Sequence, residues 1–272
     1  MSEVTLIIIF YLASKLCLDL LQICTVRTAV IDNDSARLLK ITNEDECKSR
    51  DYNISKLKLS IVRNIIYVSW IYFLLVGGLV NHINFILVSH AFSAYAVNIG
   101  TILITYTLIY VSLLPISYYS TFVIETKFDF NTSTKKLFIK DNFISMIMTA
   151  ILIIVMSSIF FFIIKYEDMW WFFMSTAIFL LTILSVYIYP TYISPIFNKF
   201  NILDNEEIKN EIKDLSNKTD FSIENLYVMD KSKRSKHPNA YFTGFKNNRR
   251  IVFYDTLIEL LSPSEIKAVL AH

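Results

Sequence analysis

The chain has 272 residues, 54% of them hydrophobic and only 18% charged, with a mean hydropathy of +0.46. Soluble domains run at about 45–50% apolar and about 25% charged, so this composition excludes an ordinary soluble domain, a disordered or collagen-like chain and a disulfide scaffold. It reads as a membrane protein with a water-exposed part, and a net charge of +2 gives no case for nucleic-acid binding.

In chain order, the first apolar run covers residues 4–26 and is interrupted by Lys15 and Asp19. These two are four apart and share a helix face. A signal peptide is the rival reading, but a basic start and a small-residue cleavage site are missing. Residues 64–124 carry no Asp, Glu, Lys or Arg over 61 positions. A crossing needs about 20 residues, so this run predicts spans near 65–80 and 99–116. Residues 81–98, with His82 and His90, lie between them as an interfacial stretch. Residues 143–164 and 169–198 are also uncharged and make one span each. Trp170 and Trp171 at one end of the last, with Tyr187, Tyr189 and Tyr192 at the other, suit an interfacial aromatic belt. Five spans are expected. Cys17, Cys24 and Cys47 have no metal-binding spacing and are expected as free thiols.

The positive-inside rule fixes the orientation. Lys and Arg number eight between spans 1 and 2, none between spans 2 and 3, four between spans 3 and 4, one between spans 4 and 5, and twelve after span 5. The basic segments fall on one side, so the N-terminus is expected outside or luminal and the C-terminal region cytosolic. Four N-x-S/T sequons, at Asn33, Asn53, Asn131 and Asn217, then face the cytosol and are expected to be unglycosylated.

From residue 196 the chain changes in kind, with 23 charged residues in 77. Residues 204–216 have helical periodicity through Ile208, Ile212 and Leu215. Residues 225–229 and 250–254 read as short strands. Between them lies a basic loop, 231–237, with Lys231, Lys233, Arg234 and Lys236. It is read equally as a contact for anionic lipid heads or as a solvated loop, with His237 solvated. Ser262-Pro263-Ser264-Glu265 matches a capping box with Pro at the first helical position. It opens a helix with Ile266, Val269 and Leu270 on its apolar face, and the chain stops on that helix at His272. Stopping there without a cap reads as a fragment. His272 taken alone is an ordinary terminal histidine.

The wording of several blocks resembles the eukaryotic CAAX prenyl proteases of type 1. These are Leu114-Pro115, residues 119–125 (Tyr-Ser-Thr-Phe-Val-Ile-Glu), Phe130-Asn131, Lys140-Asp141, residues 193–200, 232–244, 250–257 and 265–272. Asp19 with Gln22, and Lys48-Ser49-Arg50 with Tyr52, match more loosely. The resemblance covers nearly the whole chain in order. It implies a multi-pass, mainly α protein of the endoplasmic reticulum membrane with about five spans over 1–195. An α+β zincin-like cytosolic domain, incomplete at its C-terminus, starts at 196–272. The implied reaction is zinc-dependent removal of the last three residues of prenylated CAAX proteins, so the implied partners are those substrates and the lipid bilayer.

The family's zinc motif is H-E-x-x-H, two histidines one helical turn apart flanking a general-base Glu. His272 matches its first position and is the expected metal ligand. The Glu and the remaining ligands are expected beyond it, so no catalytic residue lies within the chain and the fragment is expected to be inactive. The strand bordering the zinc site implies substrate binding by Asn239, Ala240, Tyr241, Phe242 and Gly244, with Asn239 reaching substrate backbone or the reacting carbonyl. The plainer reading of Asn239 is a turn after Pro238. Glu125 is read as structural at the membrane rim. Leu21 departs from the usual basic residue, and the 256–262 linker is short. Besides a genuinely truncated, inactive member of the same family, two alternatives remain. One is a related quality-control metalloprotease. The other is a non-enzymatic transporter or receptor, against which stands the scarcity of ionisable groups inside the spans.

Overall fold

A computed structural model describes residues 3–30, 34, 41–90, 92–166, 168–219, 225–243 and 250–271. Five helical stretches in it are long and apolar enough to cross a bilayer: Glu3–Thr28, Asn43–Leu75, Ala94–Glu125, Lys135–Lys165 and Trp170–Phe197. The expected spans at 4–26, 99–116 and 143–164 lie inside these helices, the one at 169–198 exceeds its helix by one residue at each end, and the one at 65–80 runs five residues past Leu75. The chain divides into two compact units, residues 1–129 with 142–162 and residues 130–141 with 163–272.

The first unit begins with α1 (Glu3–Thr28) and α2 (Asn43–Leu75). Thr42 starts α2 through a capping box: its hydroxyl accepts from the Asp45 amide while the Asp45 carboxylate accepts from the Thr42 amide. The helix thus starts some twenty residues ahead of the apolar run, and its 33 residues rise about 50 Å. Next come α3 (Leu79–Ser89), in the stretch expected at the interface, and α4 (Ala94–Tyr119). Pro115 lies inside α4, and the chain then widens into a π-helical turn, Ser120–Glu125.

Polar side chains join these helices. Asp19 is buried, pairs with Lys15 at 3.3 Å and accepts from Asn64 Nδ2 at 2.9 Å, tying α1 to α2. Trp70 Nε1 donates to Ser112 Oγ at 2.8 Å, tying α2 to α4. Tyr110 donates to the Asn142 carbonyl at 2.8 Å, tying α4 to α5 (Lys135–Tyr166). Such bonds hold apolar helices in lipid, where packing gains no hydrophobic term. Most large apolar side chains on these helices point outward, as a lipid-facing surface requires.

The second unit contains α6 (Trp170–Ile188), a π-helical turn at Tyr189–Ile193 and the short α7 (Ser194–Phe197). Four strands follow among helices: β1 (Phe200–Ile202), β2 (Asn225–Met229), β3 (Ala240–Thr243) and β4 (Arg250–Tyr254), in the order β1-β2-β4-β3. The β2–β4 pair is parallel and the other two are antiparallel. Helices α8 (Glu206–Thr219), α9 (Asp255–Leu260) and α10 (Pro263–Ala271) complete the unit. Alternation along β4 sends Ile251 and Phe253 to one face. There they meet Leu203, Ile208, Ile212, Leu257 and Ile266 in a closed core. The periodicity of α8 and the strands at 225–229 and 250–254 are as the sequence suggested. On α10, Ile266 is fully buried and Leu270 partly so, whereas Val269 is 47% exposed; the apolar face is narrower than the sequence implied.

Candidate functional site

The expected substrate segment lies at the edge of the sheet. β3 pairs with β4 as Ala240↔Phe253, Tyr241↔Val252, Phe242↔Ile251 and Thr243↔Arg250. The Tyr254 amide donates to the Asn239 carbonyl at 2.9 Å, so the main chains of Asn239, Tyr241 and Thr243 face β4. By antiparallel alternation, those of Ala240 and Phe242 face away from it. The Ala240 amide, on this outer side, donates to Asn239 Oδ1 at 2.9 Å. Asn239 is exposed, and its side chain caps the first outward-facing donor of the strand. Gly244 and His272 lie outside the described residues.

Side chains alternate with the main chain. Ala240 packs against the core that holds α10, and Phe242 is on the same face with 52% of its surface exposed. Tyr241, Thr243, Tyr227, Arg250 and Val252 line a cleft of about 430 Å³ on the opposite face. Its further walls include Pro190, Asn198 and Lys199. Tyr241 and Tyr254 meet edge-on with ring centroids 6.4 Å apart. Burial pushes both phenols up. A hydrogen bond from Ser194 partly opposes this at Tyr241. Both rings are therefore neutral donors at physiological pH.

The basic loop is clamped along part of its length rather than solvated throughout. Arg234 donates through Nε to Asp141 Oδ2 at 2.6 Å and through Nη2 to Asp141 Oδ1 at 3.1 Å. The same guanidinium donates to the Phe197 carbonyl at 2.7 Å and to Asn198 Oδ1 at 3.2 Å. Such a fork binds a carboxylate in two places, which a lysine cannot do. Asn131 and Ser235 form an isolated β-bridge, and the Lys236 amide donates to the Phe130 carbonyl at 2.9 Å. His237, expected to be solvated, is half-buried and stacked on the Phe130 ring at 4.2 Å; the aromatic face replaces water on one side of the imidazole. Lys231 sits over the Tyr254 ring at 5.7 Å. Burial, and next the Arg234 charge, pull its pKa below the usual lysine range. The Asp255 carboxylate accepts from the Ser232 amide at 2.8 Å and from its hydroxyl, which ties the loop to the end of β4.

Sequence reasoning missed the Arg234–Asp141 centre. Its signal was available only as separated blocks, because Lys140-Asp141, residues 193–200 and residues 232–244 converge on one guanidinium while Phe130-Asn131 pair with the main chain next to it. Glu125 is held as expected of a structural group. Lys56 Nζ lies 2.7 Å from its Oε1, and the Tyr52 hydroxyl donates to the same oxygen at 2.9 Å. Lys56 also donates to Ser120 Oγ at 3.1 Å. Ser120 and Glu125 are five apart. An α-helix would set them about 140° apart, whereas the i→i+5 geometry of the π turn brings both to one lysine.

Among the described residues, no group of three or more His, Cys, Asp or Glu is arranged to hold a metal ion. Helix α10 is nonetheless well anchored up to the position before His272. The Glu265 carboxylate accepts from the Ser262 amide and hydroxyl at 2.8 and 2.7 Å. Lys267 bridges Glu211 and Asp214, each at 2.7 Å. An imidazole is the side chain zinc sites use most readily alongside thiolate, so the residue type at position 272 fits a first ligand.

A family model described as the CAAX prenyl protease N-terminal, five membrane helices, matches residues 35–199. A second, for peptidase family M48, matches residues 203–272. CAAX prenyl protease 1 of Saccharomyces cerevisiae is 40% identical over 161 residues, covering 58% of this chain and 36% of that protein. The CAAX prenyl protease 1 homolog of Dictyostelium discoideum is 34% identical over 250 residues, covering 86% of this chain and 56% of that one. The crystal structure of S. mikatae Ste24p superposes with a TM-score of 0.87 at 30% identity, covering 100% of this chain and 66% of that one. The chain thus spans about a third to just over half of these curated relatives' length. With five membrane helices, it is a multi-pass membrane protein.

Proposed function

The chain belongs to the CAAX prenyl protease family of M48 peptidases, and from that premise we propose that the protein is a zinc metalloendopeptidase of the endoplasmic reticulum membrane. It removes the last three residues of prenylated CAAX proteins. Residues 1–195 form its transmembrane region. Residues 196–272 begin its peptidase domain, on the cytosolic side. The observation that carries this reading is the pairing of β3 with β4 at the sheet edge while α10 packs beneath the same sheet. A substrate in extended form adds to the outer side of β3, where main-chain bonds give affinity with little sequence demand.

Each residue has a part in this scheme. Ala240 and Phe242 offer main-chain groups to the incoming strand. Asn239 gives up the Ala240 amide as the strand docks, and its freed amide meets substrate backbone or the reacting carbonyl. Tyr241 holds the strand to its neighbour by packing against Tyr254. Gly244 ends the binding segment. His272 is the first metal ligand. A divalent ion held there supplies Lewis-acid polarisation of the scissile carbonyl.

Two measurements test the scheme. Coding sequence read past His272 is expected to continue as Glu-x-x-His, and a different reading removes the peptidase assignment. In the full-length protein, His272→Ala is expected to lose bound zinc and cleavage of a farnesylated peptide together. Asn239→Ala is expected to keep zinc and lower kcat/KM by roughly 10²-fold, the scale of one lost transition-state donor. Full zinc and full activity in His272→Ala would sink the ligand role.

A further inference from the structure

Helix α2 borders two clefts of the first unit, which share Leu59 and Ile116. One, of about 520 Å³, is lined by Asn53, Lys56, Ser60 and Arg63 of α2 with Ser117 and Ser120 across from them. The other, of about 570 Å³, is lined by Ser55, Lys58 and Val62 of α2 with Ile116, Val123 and Lys127 across from them. At 3.6 residues per turn, these two sets on α2 lie about 150° apart, on opposite sides of the helix. The first cleft interleaves these polar groups with apolar walls from Val26, Leu57, Leu113 and Ile116. The second is apolar except at the end where Ser55, Lys58 and Lys127 gather.

The lysines at this end differ in their partners. Lys48 pairs with Asp129 at 3.2 Å and Lys56 with Glu125 at 2.7 Å. Lys58 and Lys127 have no carboxylate partner among the described residues. Lys127 has only the Phe128 ring, at 5.2 Å. Both of these lysines border the second cleft, whereas Arg63, which also has no carboxylate partner among the described residues and donates to Ser60 Oγ, borders the first. From Pro115 to Lys127 this side of the cleft extends at most about 18 Å, the α-helical rise of 1.5 Å per residue being an upper bound across the π turn, room for a headgroup and the upper part of an acyl chain.

We propose that this cleft is a binding site for an anionic phospholipid, with Lys58 and Lys127 as counter-ions to its phosphate and the acyl chain along Val62, Ile116 and Val123. A soluble anion fits less well, because it leaves the apolar walls uncovered. A neutral lipid fits less well, because it leaves two cations without a counter-charge. Lys58 and Lys127 fall in segments that the charge count assigns to one side of the membrane, so a single leaflet supplies the ligand.

Native mass spectrometry of the detergent-purified full-length protein tests this, with phosphatidylserine and phosphatidylcholine added in equal amounts. At about 1 kcal/mol per cation and 1.4 kcal/mol per tenfold, the first bound lipid is expected to favour phosphatidylserine about thirtyfold. K58Q/K127Q is expected to bring that ratio near parity, and K58R/K127R to keep it. K135Q/K136Q, which removes two lysines from the same inter-span segment, is also expected to keep it. Should the double variant fail to fold, each single variant is expected to lose about fivefold by the same arithmetic. Millimolar inorganic phosphate is expected to leave the lipid bound, and its displacement would assign the site to free anions. Parity in the unmodified protein, or an undiminished ratio in K58Q/K127Q, overturns the proposal.

Discussion

Arg234 shows how one side chain gathers distant parts of the chain. Its guanidinium reaches Asp141, Phe197 and Asn198, and both it and Asp141 are largely shielded from water. Removing one partner of such a pair leaves a charge without compensation, which costs about 3–5 kcal/mol when fully buried and less here. Arg234→Ala is therefore expected to lower stability by about 2–3 kcal/mol, read as a drop in apparent Tm in detergent. Arg234→Lys is expected to recover only part, since an ammonium cannot make the forked contact. A Tm unchanged in both variants would mean that the cluster does not hold the loop. Little of this was legible in the sequence. Ion-pair partners 93 positions apart leave no periodicity, and a run of Lys and Arg reads the same whether solvated or clamped.

Among the elements, α10 carries the metal-site expectation, and Ile266 and Lys267 are its anchors. Ile266 has no exposed surface, so Ile266→Ala is expected to cost about 2–5 kcal/mol, read by chemical denaturation. Lys267 pins the helix to α8 through Asp214 and Glu211, whose hydrogen bonds raise its pKa above the usual lysine value. The stabilisation this gives is fully present below the unfolded pKa and is lost as pH rises through the higher folded value. Stability measured from pH 9 to 12 is thus expected to fall more steeply in the unmodified protein than in Lys267→Met. Parallel curves would show that the bridge is not formed in solution. The capped start of α10 and the apolar stripe of α8 were readable because both are local rules. The strand β3 was reached only through family resemblance, since Ala240–Thr243 is too short for alternation to declare itself. The π turns were not foreseen, because hydrophobic periodicity does not distinguish i→i+5 from i→i+4 bonding.

For the whole molecule, the five spans were the most legible feature. Long uncharged runs leave few options in lipid, where each backbone group must be paired within its own helix. What those runs concealed was how far the helices continue past them. The capping box at Thr42 starts α2 well before the chain turns apolar, and its length of about 50 Å exceeds a hydrocarbon core of about 30 Å. Roughly 20 Å of this rod stands in water, and the thiol of Cys47 sits near its tip, exposed and outside any disulfide, with Arg50 Nη2 donating to it at 3.1 Å. Cys17 and Cys24 lie within α1 instead. The native sequence therefore carries its own sidedness reporter. A membrane-impermeant maleimide added to sealed, right-side-out microsomes is expected to modify one thiol per chain. Modification only after the vesicles are opened would invert the assigned orientation.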